Sequence, residues 1–136
     1  MSEENKALVR KFFDLLVREG RAPEELMVPD FLYHVPGVPP LDIEAVNQRT
    51  SALAAAFSDI SRTLEDMVAE GDKVAFRSSI EMIHTGDYMG IEGAGTQISF
   101  TEIGIMRIAN GNVAEMWALS DSVGFMQQIG AMPSPD

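Results

Sequence analysis

Residues 111–130 read GNVAEMWALSDSVGFMQQIG, and the fold turns on how this stretch divides. Val113, Glu115, Trp117, Leu119 and Asp121 recur at every second position, the period at which strand side chains share a face. After Asp121 the spacing becomes helix-like, with Val123, Met126, Gln127 and Gly130. A strand that gives way to a short helix places a carboxylate at the end of a largely apolar row holding the only tryptophan. Asp121 is then either a base in an apolar pocket or the N-cap of the last helix, a place that Ser120-Asp121-Ser122 also suits.

Upstream, Gln97–Ile108 and Val113–Leu119 flank Asn110-Gly111, the strongest short hairpin signal there is. Ile60–Ala69 and Lys73–His84 flank the tight turn Glu70-Gly71-Asp72. Between the two hairpins, residues 86–95 form a glycine-rich excursion that lacks the Gly-Lys-Ser/Thr ending and following helix of a phosphate loop. Earlier, Ile43, Val46, Thr50, Leu53 and Phe57 recur three and four apart behind Asp42, a suitable N-cap, and mark a helix. Phe31–Val35 reads as a short strand closed by Pro36, Pro39 and Pro40. Pro23 opens a short helix that Pro29 stops, and residues 2–19 form an amphipathic helix ended by Gly20. The sum is α+β: a curved antiparallel sheet, three N-terminal helices packed on one face and a short C-terminal helix.

Composition narrows the functions. At 136 residues, positions 1–136 make one domain with room for a core. A net charge of −11 without a basic run argues against nucleic acid and against a membrane surface as partners. The absence of cysteine removes disulfides, thiolate nucleophiles and zinc–thiolate sites, and two histidines are too few for a dedicated transition-metal site. The first residues, MSEENK, are acidic where a signal peptide is basic, so a cytoplasmic protein without a cofactor is expected.

Motifs across nearly the whole chain resemble those of the SnoaL-like polyketide (ester) cyclases of the nuclear transport factor 2-like superfamily. They are Phe57-Ser58-Asp59, Ala69-Glu70-Gly71-Asp72-Lys73-Val74, His84-Thr85-Gly86-Asp87 with Gly90, Asn110-Gly111-Asn112-Val113-Ala114-Glu115 with Trp117, then Asp121 and Gln128-Ile129-Gly130. The resemblance implies a cone-shaped α+β barrel around a central hydrophobic pocket. It also implies a cofactor-independent intramolecular aldol-type cyclisation of an apolar polyketide-like ketone or ester, with Asp121 as acid/base. Met82-Ile83 stands where the family often has Gly-Thr, and Gly93-Ala94-Gly95 where it often has Pro-Thr-Gly. Both departures fall at the expected pocket mouth, so substrate identity transfers least.

Among single residues, Asp121 between Trp117, Leu119 and Phe125 would be desolvated and so a stronger base. His84 shares the parity of Val74, Phe76, Ile80 and Met82 and could bond Asp121 or a substrate oxygen; it could equally satisfy backbone groups at the strand end. Tyr33, with the parity of Phe31 and Val35, is expected in the pocket wall. His34 matches a histidine often present in the family. Phe12, Met82, Phe100, Trp117 and Phe125 complete the expected substrate-binding set. Two other enzymatic functions stay open. A ketosteroid-isomerase-like shift needs an acidic donor such as a tyrosine. An epoxide-hydrolase-like reaction needs two carboxylates and an arginine inside, whereas Arg77 has the outward parity. A non-catalytic module binding a small hydrophobic molecule is the remaining possibility. Ala75, Ile83, Ile103, Ile105 and Met116 are expected to form an apolar outer patch that a homodimer would bury.

Overall fold

The computed structural model describes residues 2–134. Helix α1, Ser2–Glu19, carries Glu3 and Glu4 at its positive end and Arg18 at its negative end, and buries Val9, Phe12, Phe13 and Leu15. Gly20, at φ +68°, ends it by donating its N–H to the Leu16 carbonyl at 3.0 Å. The helix expected after Pro23 is only one 3-10 turn, Glu24–Leu26. Strand β1, Met27–His34, follows at once and contains Pro29. Proline is tolerated there because β1 is an edge strand with no ladder on one side.

Helix α2, Ile43–Ala56, starts at Asp42, whose carboxylate accepts the Ala45 N–H at 2.9 Å. The chain then enters β2, Phe57–Glu70, three residues before the expected start, through a bulge that holds Asp59 at φ +52°. β3 (Lys73–His84), β4 (Thr96–Ala109) and β5 (Asn112–Ser120) complete the meander, and α3 (Ser122–Ile129) closes the chain. At the β4–β5 turn both Asn110 (φ 52°) and Gly111 (φ 79°) take the left-handed conformation that a two-residue hairpin loop requires.

The sheet order is β1-β5-β4-β3-β2, and β1 runs parallel to β5, so the sheet is mixed rather than wholly antiparallel. β1 and β2 remain separate edges, and the curved sheet does not close into a barrel. Its concave face packs beneath α1, where Phe13 meets Phe76 edge-on at 5.0 Å within a cluster that includes Phe12, Phe31, Val74 and Met106. A second cluster, built on Phe57, Ile80, Met82, Ile98 and Ile129, fills the α3 end. Among the described residues, no helix is long and apolar enough to cross a membrane.

One irregularity re-aims β5. Val113 pairs with Ile108 but Glu115 pairs with Arg107, so two steps on β5 oppose one on β4. Val113 and Ala114 are consequently both buried, and Met116 and Ala118 carry the inward parity from there on. The alternation expected to place Glu115, Trp117 and Leu119 inside therefore reverses. Leu119 is 63% exposed, and Met116, expected outside, is inside.

Candidate functional site

A cavity of about 410 Å³ opens between α1, α2, α3 and the concave face. Both core clusters contribute to its wall, through Phe12, Phe13 and Phe31 on one side and Ile80, Met82, Phe100 and Phe125 on the other. A broader depression of about 590 Å³ over Glu24, Pro29, Ile43 and Asn47 is open to solvent and shares no residue with it.

Of the residues expected at the site, Asp121, Tyr33, Phe12, Met82, Phe100 and Phe125 line the cavity. Asp121 lies where β5 ends. Its carboxylate caps α3 by accepting the Gly124 N–H at 2.9 Å, and its own N–H donates to the Thr101 carbonyl. Capping the helix and lining the cavity are thus compatible at one residue. The carboxylate is exposed at the cavity margin, with Ser120, Ser122 and Phe125 as neighbouring wall, rather than enclosed with Trp117 and Leu119. Gly124 makes room for it: a Cβ there would stand 2.2 Å from Asp121 Oδ2.

Three expected residues lie elsewhere. His84 is 2% exposed and stacks on Phe57 at 4.9 Å; its Nε2 is buried without a hydrogen-bond partner, and it makes no bond to Asp121. Phe57, Tyr88 and Phe125 pack as one aromatic group beside it. Trp117 and His34 are on the outer face, stacked on one another at 5.2 Å with an interplanar angle of 13°. There His34 Nε2 and Glu115 Oε2 are 2.6 Å apart, and Arg107 Nε donates to Glu115 Oε1 at 3.0 Å. Burial alone would raise the Glu115 pKa; the bonds from His34 and Arg107 outweigh it and hold the carboxyl below its ordinary value.

The sequence reading missed the polar part of the cavity. Glu102 follows Phe100 at the strand period and pairs across the sheet with Ser78 and Ser120. Its Oε1 accepts a hydrogen bond from Arg62 Nη1 at 2.7 Å, and both side chains are about nine-tenths buried. The Arg62 guanidinium also lies 4.1 Å from the Phe13 ring centroid, a desolvated cation–π contact. The Ser78 hydroxyl, enclosed beside Glu102, has no partner. Tyr33 comes from β1 and Arg49 from α2, with the Arg49 guanidinium 5.8 Å from the tyrosine ring centroid. Burial first, and the Glu102 charge second, push the Tyr33 phenol up to about 12 against the opposing pull of Arg49 and Arg62. Tyr33 is therefore a neutral hydroxyl at any physiological pH. Phe100 and Glu102 share one parity of β4, yet only Phe100 is among the expected residues. Nothing in one sequence says that a charged pair is inside.

The backbone is shared with solved proteins. AclR from Streptomyces galilaeus superposes with a TM-score of 0.90 at 21% identity, covering all of this chain and 87% of that one. TsrD from Streptomyces laurentii is 30% identical with a TM-score of 0.76, over 93% of this chain and 97% of that one. IdmH from Streptomyces antibioticus is 26% identical with a TM-score of 0.79, over 93% and 98% respectively. No curated protein matches the sequence. The family model for SnoaL-like polyketide cyclase matches residues 7–129, nearly the whole chain, and the chain belongs to that family.

Proposed function

We propose that the protein catalyses a cofactor-independent, intramolecular aldol-type cyclisation of an apolar polyketide-like ketone or ester, with Asp121 as the acid/base. The observation that carries this reading is the Asp121 carboxylate at the margin of a largely aromatic and aliphatic cavity, on a chain of the cyclase family. The carboxylate takes a proton from a carbon flanked by two carbonyls. The resulting enolate carbon attacks a carbonyl of the same molecule and forms the ring bond, and the carboxylic acid returns its proton to the new alkoxide. Such a carbon is already acidic, so one base and good positioning suffice.

Proton exchange tests the first step. In D₂O, the protein should accelerate loss of the α-proton signal of 2-acetyl-1-tetralone, a β-dicarbonyl compound, and Asp121→Asn should lower that rate by about 10² or more. Equal exchange with and without protein would move the function to ligand binding.

A hydrolytic reading has one observation in its favour: two carboxylates, Glu102 and Asp121, and an arginine, Arg62, do line the cavity. An epoxide probe hydrolysed by the protein, with no α-proton exchange, would select it.

The outer face supports a homodimer. Ile103 pairs with Leu119, and Ile105 with both Trp117 and Ala75, so their outward side chains form a continuous apolar strip. Ile103 and Leu119 are more than half exposed. Leu119→Asp should convert a dimer to a monomer in analytical ultracentrifugation at micromolar concentration.

A further inference from the structure

The wall around Tyr33 carries a surplus of positive charge. Two guanidinium groups, Arg49 and Arg62, and one carboxylate, Glu102, act on the Tyr33 phenol, and that carboxylate already accepts from Arg62. Arg49 has no hydrogen bond or ion pair among the described residues, although the chain has 21 acidic side chains. The Tyr33 side chain belongs to a residue 92% buried (8% exposed), and its hydroxyl also has no hydrogen-bond partner among the described residues. It is not one of the sealed, unpartnered atoms, which are only Ser78 Oγ and His84 Nε2 among the described residues, so it opens into the cavity it lines. Arg49 is exposed, so the phenol and the guanidinium are two donors at one cavity that no protein acceptor occupies among the described residues, open to an acceptor on a ligand.

We propose that the Tyr33 hydroxyl and the Arg49 guanidinium form a carboxylate-binding subsite, and that the natural ligand is an apolar ring compound bearing a free carboxylate. The planar guanidinium offers paired donors to the two carboxylate oxygens, and the phenol adds a third donor. Met116 is the β5 partner of Tyr33, and Asp121 lies five residues further along β5. At about 3.3 Å per residue, the subsite and Asp121 are roughly 16 Å apart along the strand. A ligand anchored by its carboxylate at Tyr33 would therefore lie along the apolar wall, with its far end presented to Asp121. The inference rests on the cavity being a ligand site, and adds which charge the ligand carries.

Calorimetric titration with 2-naphthoate and its methyl ester separates the two ideas. The overall charge of −11 repels anions at long range, so nothing non-specific favours the acid. The native protein should nevertheless bind 2-naphthoate about tenfold more tightly than the ester. Arg49→Met should abolish that preference by weakening the acid about tenfold while leaving the ester unchanged. Tyr33→Phe should weaken both several-fold, because the hydroxyl can donate to either carbonyl oxygen. Equal binding of acid and ester, or a preference that survives Arg49→Met, overturns the subsite and leaves the cavity as a ligand site. Binding of neither probe at millimolar concentration overturns both.

Discussion

The two faces of one sheet hold ion pairs of very different standing. On the concave face, Arg62 and Glu102 meet at 2.7 Å with about a tenth of each side chain exposed. On the convex face, Arg77 and Asp66 also meet at 2.7 Å, but 46% and 66% of their side chains are open to water. Equal distances conceal unequal consequences. Water screens the outer pair and leaves it nearly neutral for stability, whereas loss of one inner partner strands a charge among Phe13 and its neighbours. The inner pair also sets the field in which Tyr33 sits; the outer pair faces no cavity.

Glu102→Ala tests this contrast most severely. Removing one member of a buried pair should cost about 3–5 kcal/mol in urea unfolding. A loss under about 1 kcal/mol would mean that the inner pair is as wet as the outer one.

Tyr33 gives the next effect. Its phenol is raised to about 12 in the folded chain against about 10 unfolded. The neutral form is favoured by folding, so this contribution is complete below pH 10 and is lost as pH rises from 10 to 12. The linkage amounts to about 2–3 kcal/mol across that window. Tyr33→Phe should flatten the alkaline fall in stability and remove the phenolate absorbance that appears near pH 12.

Gly124→Ala should yield a smaller effect. In a helix this change ordinarily adds up to about 1 kcal/mol. Here the new Cβ meets the Asp121 carboxylate, and displacing that cap costs about 1 kcal/mol. No net stabilisation is expected, together with slower proton exchange in the assay above. A clear rise in melting temperature with exchange intact would show that Asp121 need not sit where it does.

The outer pair should respond least. Asp66→Ala is expected to change stability by less than about 1 kcal/mol, and by less still at high salt. A larger loss would remove the distinction between the two faces.

The fold was more legible in the chain than the site. Asn110-Gly111 and Glu70-Gly71-Asp72 located both hairpins, the second with its two-residue turn at Gly71-Asp72, because such turns demand backbone conformations that few residues other than asparagine, aspartate and glycine supply. Asp42 located the start of α2 by a bond made within three residues. Tyr33 could be placed inward because it shares the row of Phe31, and Phe31, Leu32 and Tyr33 alternate buried, exposed and buried. Trp117 could not be placed, because the β-bulge before Glu115 changes which parity faces inward and has no marker of its own. His84 has the inward parity but ends behind Phe57 rather than at the cavity wall, since parity gives a face and not a depth.

Local chemistry thus determined what the residues decide over a few positions: the helix stripe of α1, the caps, the turns, and the strand at whose end Asp121 stands. Those rest on interactions between near neighbours, which a sequence displays directly. Long-range closure decided the parallel pairing of β1 with β5, the open sheet, the outward turn of Trp117 and the meeting of Tyr33, Arg49, Arg62 and Glu102. These four residues come from β1, α2, β2 and β4, and only the curvature of the sheet under its helices brings them to one cavity.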